Sequence, residues 1–459
     1  MTSTTRPPST RSKGKYTVRF GYAAAEIGTT LSFYMISSYL AIFYTDCVGL
    51  SPMIVSALML VVRIIEAVAA PITGGIIDKT SSRWGKCRPW LLWGLPFLAI
   101  FSILTFSSFN LGTTGDTIYA YVTYIGLVIA FSFVDTAKSA LVNTITIDAQ
   151  ERVVLNSWRS TGANIANLAL AGVTMPLILF FGNGAKGYWT TCLIFTALSI
   201  PVILLSFATC KETVVTSTSG PQASFLQSLA SAVRNPMLLC LMIYNILTLT
   251  GTFARLGTQM YYYNYTLGRP DLIAGIMMVF QFAQLIPPFI VPAIVAKVGK
   301  RNGFFIANIG QAASVLVMYV AGFDNIPVVF VGTFFLGFFM MNALITYSTT
   351  SDCIEYGYYR NGQRTPATTV GAVTLSVKVG LAIGGSLGIL LIGVAGYSQG
   401  VEITDAVRSN INLAVNVFPA VMFLLGMLAL IPYTLSNKRV AEIQEANAIK
   451  DAEAANNAK

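Results

Sequence analysis

The chain has 459 residues, 54% of them hydrophobic and 10% charged, against about 25% charged in a typical soluble domain. With a mean hydropathy of +0.66, that composition excludes a soluble enzyme of this size. The net charge of +10 does not point to nucleic acid, because the cations sit in short loops and at the termini, with no basic domain or arginine-rich tract.

Two residue counts narrow the chemistry further. There is no histidine, so zinc–histidine sites, Ser-His triads and histidine proton relays are excluded, and proton chemistry near neutral pH falls to carboxylates. The six cysteines, Cys47, Cys87, Cys192, Cys210, Cys240 and Cys353, form no C-x-x-C pair and no metal-ligand spacing. They read as small apolar residues. No Walker A, G-x-S-x-G or Rossmann context occurs, so ATP-driven transport by this chain alone is not expected. No cofactor or metal is expected beyond a coupling ion.

Residues 1–16 are polar and rich in Ser, Thr and Arg, and read as an N-terminal tail. The apolar segment after them is too long for a signal-peptide core and lacks a small-residue cleavage site, so it reads as a first span. Runs long enough to cross a bilayer divide the chain into twelve. They fall near 17–44, 51–77, 90–109, 117–147, 159–181, 188–209, 237–266, 271–296, 303–322, 326–350, 366–396 and 410–434. The polar stretch 210–236 then reads as a linker between two six-helix halves, 17–209 and 237–434, with a C-terminal tail at 435–459. The expected fold class is an all-α integral membrane protein of two pseudo-symmetric bundles.

Orientation follows from the cations. Five lie in the N-tail, four in the 2–3 loop, two in the 4–5 loop, two in the linker, three in the 8–9 loop, two in the 10–11 loop and four in the C-tail. The opposite side carries only Lys186, Arg269 and Arg408. This asymmetry places both termini in the cytoplasm. The halves also echo each other: Phe43-Tyr44-Thr45 closes the first span and Asn264-Tyr265-Thr266 the seventh. Such repeats point to a transporter with its site between two bundles near mid-membrane.

Ionisable residues inside spans are costly and functional by default. Three acids qualify, Glu26, Glu66 and Asp135, with four cations able to answer them, Arg63, Lys138, Arg255 and Lys378. Arg63 and Glu66, and Asp135 and Lys138, stand three residues apart, which puts each pair on one helix face. These pairs are read either as neutralised structural charge or as the wall of a polar cavity. With Lys378 and hydroxyls, such a wall suits hydrogen bonding to a polyol. Tyr34, Phe131 and Tyr261-Tyr262-Tyr263 are candidates to stack on a sugar ring, with packing as the alternative. Trp84, Trp90 and Trp93 fit an interface belt, and Gly380, Gly384 and Gly385 fit close helix approach.

The motifs F-Y-T-D-C-V-G-L (43–50), R-I-I-E-A (63–67), R-W-G-K-C-R-P-W (83–90) and D-C-I-E-Y-G (352–357), with the Lys378 segment, resemble the glycoside–pentoside–hexuronide:cation symporter family of the major facilitator superfamily. Melibiose and glucuronide carriers are its reference members. The resemblance covers nearly the whole chain and implies alternating access, with sugar uptake coupled to Na⁺, Li⁺ or H⁺. It implies a substrate-binding set of Asp135, Lys378, Glu26, Thr30 and Thr374, and coupling carboxylates Glu66 and Asp135, to which the spacing adds Arg63 as the partner that balances Glu66 in the cation-coupling set. It also implies cytoplasmic gating by Arg159, Asp352, Glu355 and Arg364.

The departures from the family are informative. The second carboxylate of the family's sodium site falls on Ala70 and its polar neighbour on Ala69, which favours H⁺ over Na⁺ as the coupling ion. Two tryptophans of the melibiose carrier fall on Ser139 and Ala343, which argues against an α-galactoside. Lys138 is a further departure, read either as attracting an anionic hexuronide or as neutralising Asp135. The sequence therefore reads as a membrane symporter importing a glycoside, pentoside or hexuronide with a cation. A proton-coupled exporter on the same fold, or a non-transporting sugar sensor, are the alternatives.

Overall fold

The computed structural model describes residues 12–146, 149–182, 184–212, 235–322, 325–361 and 366–457. Within them, eleven helices are long and apolar enough to cross a membrane, or twelve when one bent pair counts as a single span. The first half comprises α1 (Ser12–Ile42), α2 (Pro52–Lys79), α3 (Arg88–Thr105), α4 (Gly112–Ile145), α5 (Ala149–Phe180) and α6 (Ala185–Thr209). The second comprises α7 (Pro236–Tyr261), α8 (Ile273–Ala283) with α9 (Pro287–Val298), and α10 (Lys300–Val320). It continues with α11 (Ile326–Phe338) and α12 (Asn342–Asn361), α13 (Pro366–Val394), and α14 (Asp405–Asn412) with α15 (Phe418–Ala429). A last helix, α16 (Asn437–Asn457), follows. Most of the expected linker, residues 213–234, lies outside the described residues.

Local chemistry explains where the helices start, turn and break. Ser51 Oγ accepts the Ile54 N–H ahead of Pro52, and Asn235 Oδ1 accepts the Leu238 N–H ahead of Pro236. Both are capped starts with proline at the first helical position. The leading helix of each half ends in a π-helical turn, Phe43–Val48 after α1 and Tyr262–Thr266 after α7. These turns carry the Tyr-Thr pairs that the sequence repeats, Tyr44-Thr45 and Tyr265-Thr266. Gly49, at φ 84°, turns the chain after the first. Between α8 and α9 the axis bends by 44°, where Pro287 and Pro288 supply no N–H to continue the ladder.

In the first half α1 packs on α5 and α6, and α3 on α4 and α6; in the second α7 packs on α13 and α15. Glycine sets the closeness of the α7–α13 contact. A Cβ added at Gly384 would stand 2.5 Å from the Thr250 carbonyl oxygen, and one at Gly380 would stand 3.0 Å from that of Ile246. Gly385, by contrast, faces open space. The halves meet where α2 packs on α13, α5 on α8 and α1 on α7.

Several helices outrun the apolar segments that announce them. α5 starts at Ala149 rather than near residue 159, and α12 runs to Asn361 rather than stopping near 350. A helix satisfies its own backbone groups and need not end at the membrane surface, so D-C-I-E-Y-G lies on helix and not in a loop. The C-tail is also helical over α16, where fully buried Asn447 donates to the Glu355 carbonyl at 3.0 Å and carboxylate at 2.9 Å.

Candidate functional site

Five polar side chains come together from the middle of α1, the last third of α4 and the early part of α5. Lys138 Nζ lies 2.8 Å from Glu26 Oε2 and 2.8 Å from Asp135 Oδ1. It also donates to Thr29 Oγ1 at 2.9 Å. Arg159 Nη1 approaches Glu26 Oε2 at 3.6 Å. Glu26 Oε2 takes no well-aligned hydrogen bond, so its burial is answered by the two cations. Two carboxylates and two cations leave the cluster balanced. Lys138 is only 2% exposed whereas the Asp135 side chain is 44% exposed, so one end of the cluster is sealed and the other meets open space.

That space is a cavity of about 190 Å³ lined by Glu26, Asp135 and Lys138 together with Thr30, Ser37 and Asn167. Its apolar wall includes Phe33, Tyr34 and Phe131, and the Phe33 and Phe131 rings stack with centroids 4.6 Å apart. Arg63 sits over Phe33 at 5.8 Å and pairs with Glu66 at 2.6 Å. The second ion pair therefore adjoins the aromatic wall of the first. An aromatic face beside carboxylates, hydroxyls and an amide is suited to a polyhydroxylated ring: the ring covers apolar C–H surface while the polar groups take its hydroxyls.

Of the residues expected at a substrate site, Glu26, Thr30 and Asp135 line this cavity, and both expected i,i+3 ion pairs form. Lys378 and Thr374 do not line it. They lie on α13, where Thr374 donates to its own helix at Val370 and Lys378 makes no ion pair among the described residues. Tyr261, Tyr262 and Tyr263 are buried in the core, which corrects their reading as stacking platforms, while Phe33 is a wall residue that the sequence reading passed over. Among the described residues buried Arg255 pairs with no acid; it donates to the Val415 carbonyl and the Asn416 side chain.

The residues expected to gate divide. Arg159 joins the Glu26 cluster, Asp352 pairs with Lys300 at 2.6 Å, and Glu355 is held by Asn447. Arg364 lies outside the described residues, as does the side chain of Ala70. Among the described residues no group of three or more His, Cys, Asp or Glu could hold a metal ion.

A second polar network ties the two halves at the end of the spans opposite the chain termini. Asp46, in the turn after α1, accepts from Thr45 Oγ1 at 2.7 Å, from Tyr397 Oη at 2.5 Å and from Tyr265 Oη. Its backbone carbonyl accepts from Gln399 at 2.7 Å. Beside it Thr45 bonds to Tyr261 at 2.8 Å, and Ser56 to Ser386 at 3.0 Å. No apolar periodicity announces Asp46, and the sequence reading assigned it no role.

Two six-helix halves, a polar cavity within the first and a bonded closure at one end are the layout of a membrane transporter. The sequence profile of the MFS/sugar transport protein family matches residues 21–437, and the chain belongs to that family of the major facilitator superfamily, as its motifs had suggested. It is 31% identical to the isoprimeverose transporter of Lactiplantibacillus pentosus over 95% of this chain and 92% of that one. It is 27% identical to the glucuronide carrier protein homolog of Escherichia coli, over 92% and 93%. Among solved structures, the xylose transporter XylE from E. coli in a partially occluded inward open conformation superposes with a TM-score of 0.63. The identity there is 12%, and the match covers 93% of this chain and 99% of that one.

Proposed function

We propose that the chain is a secondary symporter of the cell membrane that imports a neutral glycoside or pentoside together with a proton. The observation that carries this reading is the Glu26–Lys138–Asp135 cluster facing a cavity with a stacked aromatic wall. Both cations beside the cavity, Lys138 and Arg159, are engaged by carboxylates. That supports an uncharged substrate over a hexuronide and agrees with the resemblance to an isoprimeverose transporter.

Proton coupling rests on the same pairs. Binding a proton at Glu66 removes the charge that pairs with Arg63, and binding one at Asp135 leaves Lys138 held by Glu26 alone, so protonation is coupled to side-chain rearrangement. Sodium would need several oxygen ligands and surplus negative charge, and the cluster is already balanced. The charge asymmetry of the loops supports cytoplasmic termini. The Asp46 network then closes the outer face, and the cavity serves the cytoplasm. The halves rock about the central site to exchange these faces, with Lys378 and Thr374 joining the substrate from α13 when the cavity closes.

The test is uptake of labelled isoprimeverose, xylosides and glucuronides into proteoliposomes, with and without a pH gradient, in sodium-free buffer. Accumulation of a neutral pentose-containing glycoside driven by an inward proton gradient is expected. A strict sodium requirement would overturn the coupling assignment, and no accumulation of any glycoside would return the chain to the exporter or sensor readings.

A further inference from the structure

Away from the transport cavity, the end of the molecule that carries the chain termini holds a basic cavity that the transport reading does not use. It has a volume of about 380 Å³ and is formed by the end of α9, the start of α10 and the segment leading into α16. Lys297, Lys300, Arg301 and Lys438 line it, with fully buried Tyr433 beside them. Among the described residues the acid paired with this group is Asp352, which Lys300 occupies at 2.6 Å. Among the described residues Lys297 and Lys438 have no ion-pair partner. Arg301 donates to the Ile431 carbonyl at 2.9 Å, a neutral acceptor that leaves its charge uncompensated.

Three further observations point to a missing ligand. Arg301 Nε is buried without a hydrogen-bond partner, while the Tyr433 hydroxyl faces the Cys353 thiol. α10 starts after Gly299, at φ 82°, with no side-chain cap. The N–H groups of its first turn therefore lack an intrahelical acceptor and favour an anion, and that turn lines the cavity. Apolar side chains stand exposed beside the cavity, Val298 at 39% and Ile431 at 54%.

We propose that this cavity binds a phosphate-bearing anion, the phosphodiester headgroup of an anionic membrane lipid. The surplus cations and open N–H groups recognise the phosphate, and the apolar rim receives the acyl chains. A lipid is favoured over a soluble phosphate because the polar cavity and the apolar rim are continuous.

The test uses the full-length protein extracted from vesicles of equal phosphatidylglycerol and phosphatidylcholine, with retained lipid counted by native mass spectrometry. Wild type should retain phosphatidylglycerol selectively, and Lys297→Gln/Lys438→Gln should lower that retention about 25-fold, as expected for two cations acting on an anionic headgroup. These side chains are exposed and lie outside the transport cavity, so an unchanged melting curve will show that the variant folds. Equal retention by wild type and variant would overturn the proposal. Tight binding of inorganic phosphate to the detergent-solubilised protein without lipid selectivity would assign the cavity to a soluble anion and overturn the lipid assignment.

Discussion

Lys138 on α4 and Glu26 on α1 form an ion pair of 2.8 Å that the chain brings together across two helices. Because the same ammonium also holds Asp135 at 2.8 Å and Thr29 at 2.9 Å, Lys138 has no donor left for a substrate. This geometry supports charge neutralisation over attraction of an anionic sugar. Lys138→Met is then expected to leave Asp135 uncompensated and Glu26 with Arg159 alone, and to cost about 2 kcal/mol of stability. That is below the ~3–5 kcal/mol of a fully enclosed pair, because Asp135 is partly open to water. Thermal unfolding in detergent and sugar counterflow should both fall, with partial rescue by Lys138→Arg. Unchanged stability with selective loss of anionic substrates would instead assign Lys138 to substrate attraction.

Glu66 is expected to carry coupling rather than binding, since it lies beside the aromatic wall and not in the cavity lining. Glu66→Gln removes a group that gains and loses a proton while keeping its size, and Arg63 keeps its place over Phe33. Uphill accumulation of sugar should be lost while sugar–sugar exchange survives. The measurement is uptake against a gradient beside exchange in the same vesicles. Wild-type accumulation by the variant would remove Glu66 from the coupling set.

What the sequence disclosed and what it withheld follow from range. The spans were legible because each is a local run of apolar residues. Arg63–Glu66 and Asp135–Lys138 were legible because three residues on a helix make neighbours. Glu26–Lys138 and Tyr265–Asp46 were not, because each joins residues far apart in the chain, and only the packing of α1 against its neighbours decides them. Lys378 was expected among the acids and stands apart from them. A site built from two halves that move is complete in only part of the cycle, and no motif says which part a structure shows.

Glu212, at the edge of the linker, illustrates the same limit and makes its own prediction. Its carboxylate accepts the backbone N–H groups of Lys86, Cys87 and Arg88 at 2.9, 2.7 and 2.8 Å, capping α3 where the helix dipole favours negative charge. Glu212→Gln should cost about 1–2 kcal/mol, the scale of a lost charged cap. Gly85→Ala should destabilise through the same contact, because Gly85 has φ 105° and an added Cβ would stand 2.3 Å from the Glu212 carboxyl carbon. The two changes share one interaction, so the double variant should lose less than the sum. Additive losses in melting experiments would show that the contact does not hold the loop.

The Asp46 network gives the most direct test of the proposed alternating access. Asp46 gathers three hydroxyl donors, two of them, Tyr265 and Tyr397, from the opposite half. Hydrogen bonds to a charged acceptor are about twice as strong as neutral ones. Asp46→Asn keeps the shape but removes the charge, and turns one acceptor into a donor that meets a tyrosine hydroxyl. If the network holds this face shut, the closed state should lose about 2 kcal/mol relative to the open one, a shift of about 30-fold in their ratio. Cys47, half-buried in the same cavity as Asp46, reports the change. Its labelling by a membrane-impermeant maleimide should quicken in Asp46→Asn and, to a lesser degree, in Tyr397→Phe, which removes a single donor. Labelling at the wild-type rate in both variants would mean that closure rests on helix packing such as α2 against α13, with the Asp46 bonds a consequence of it.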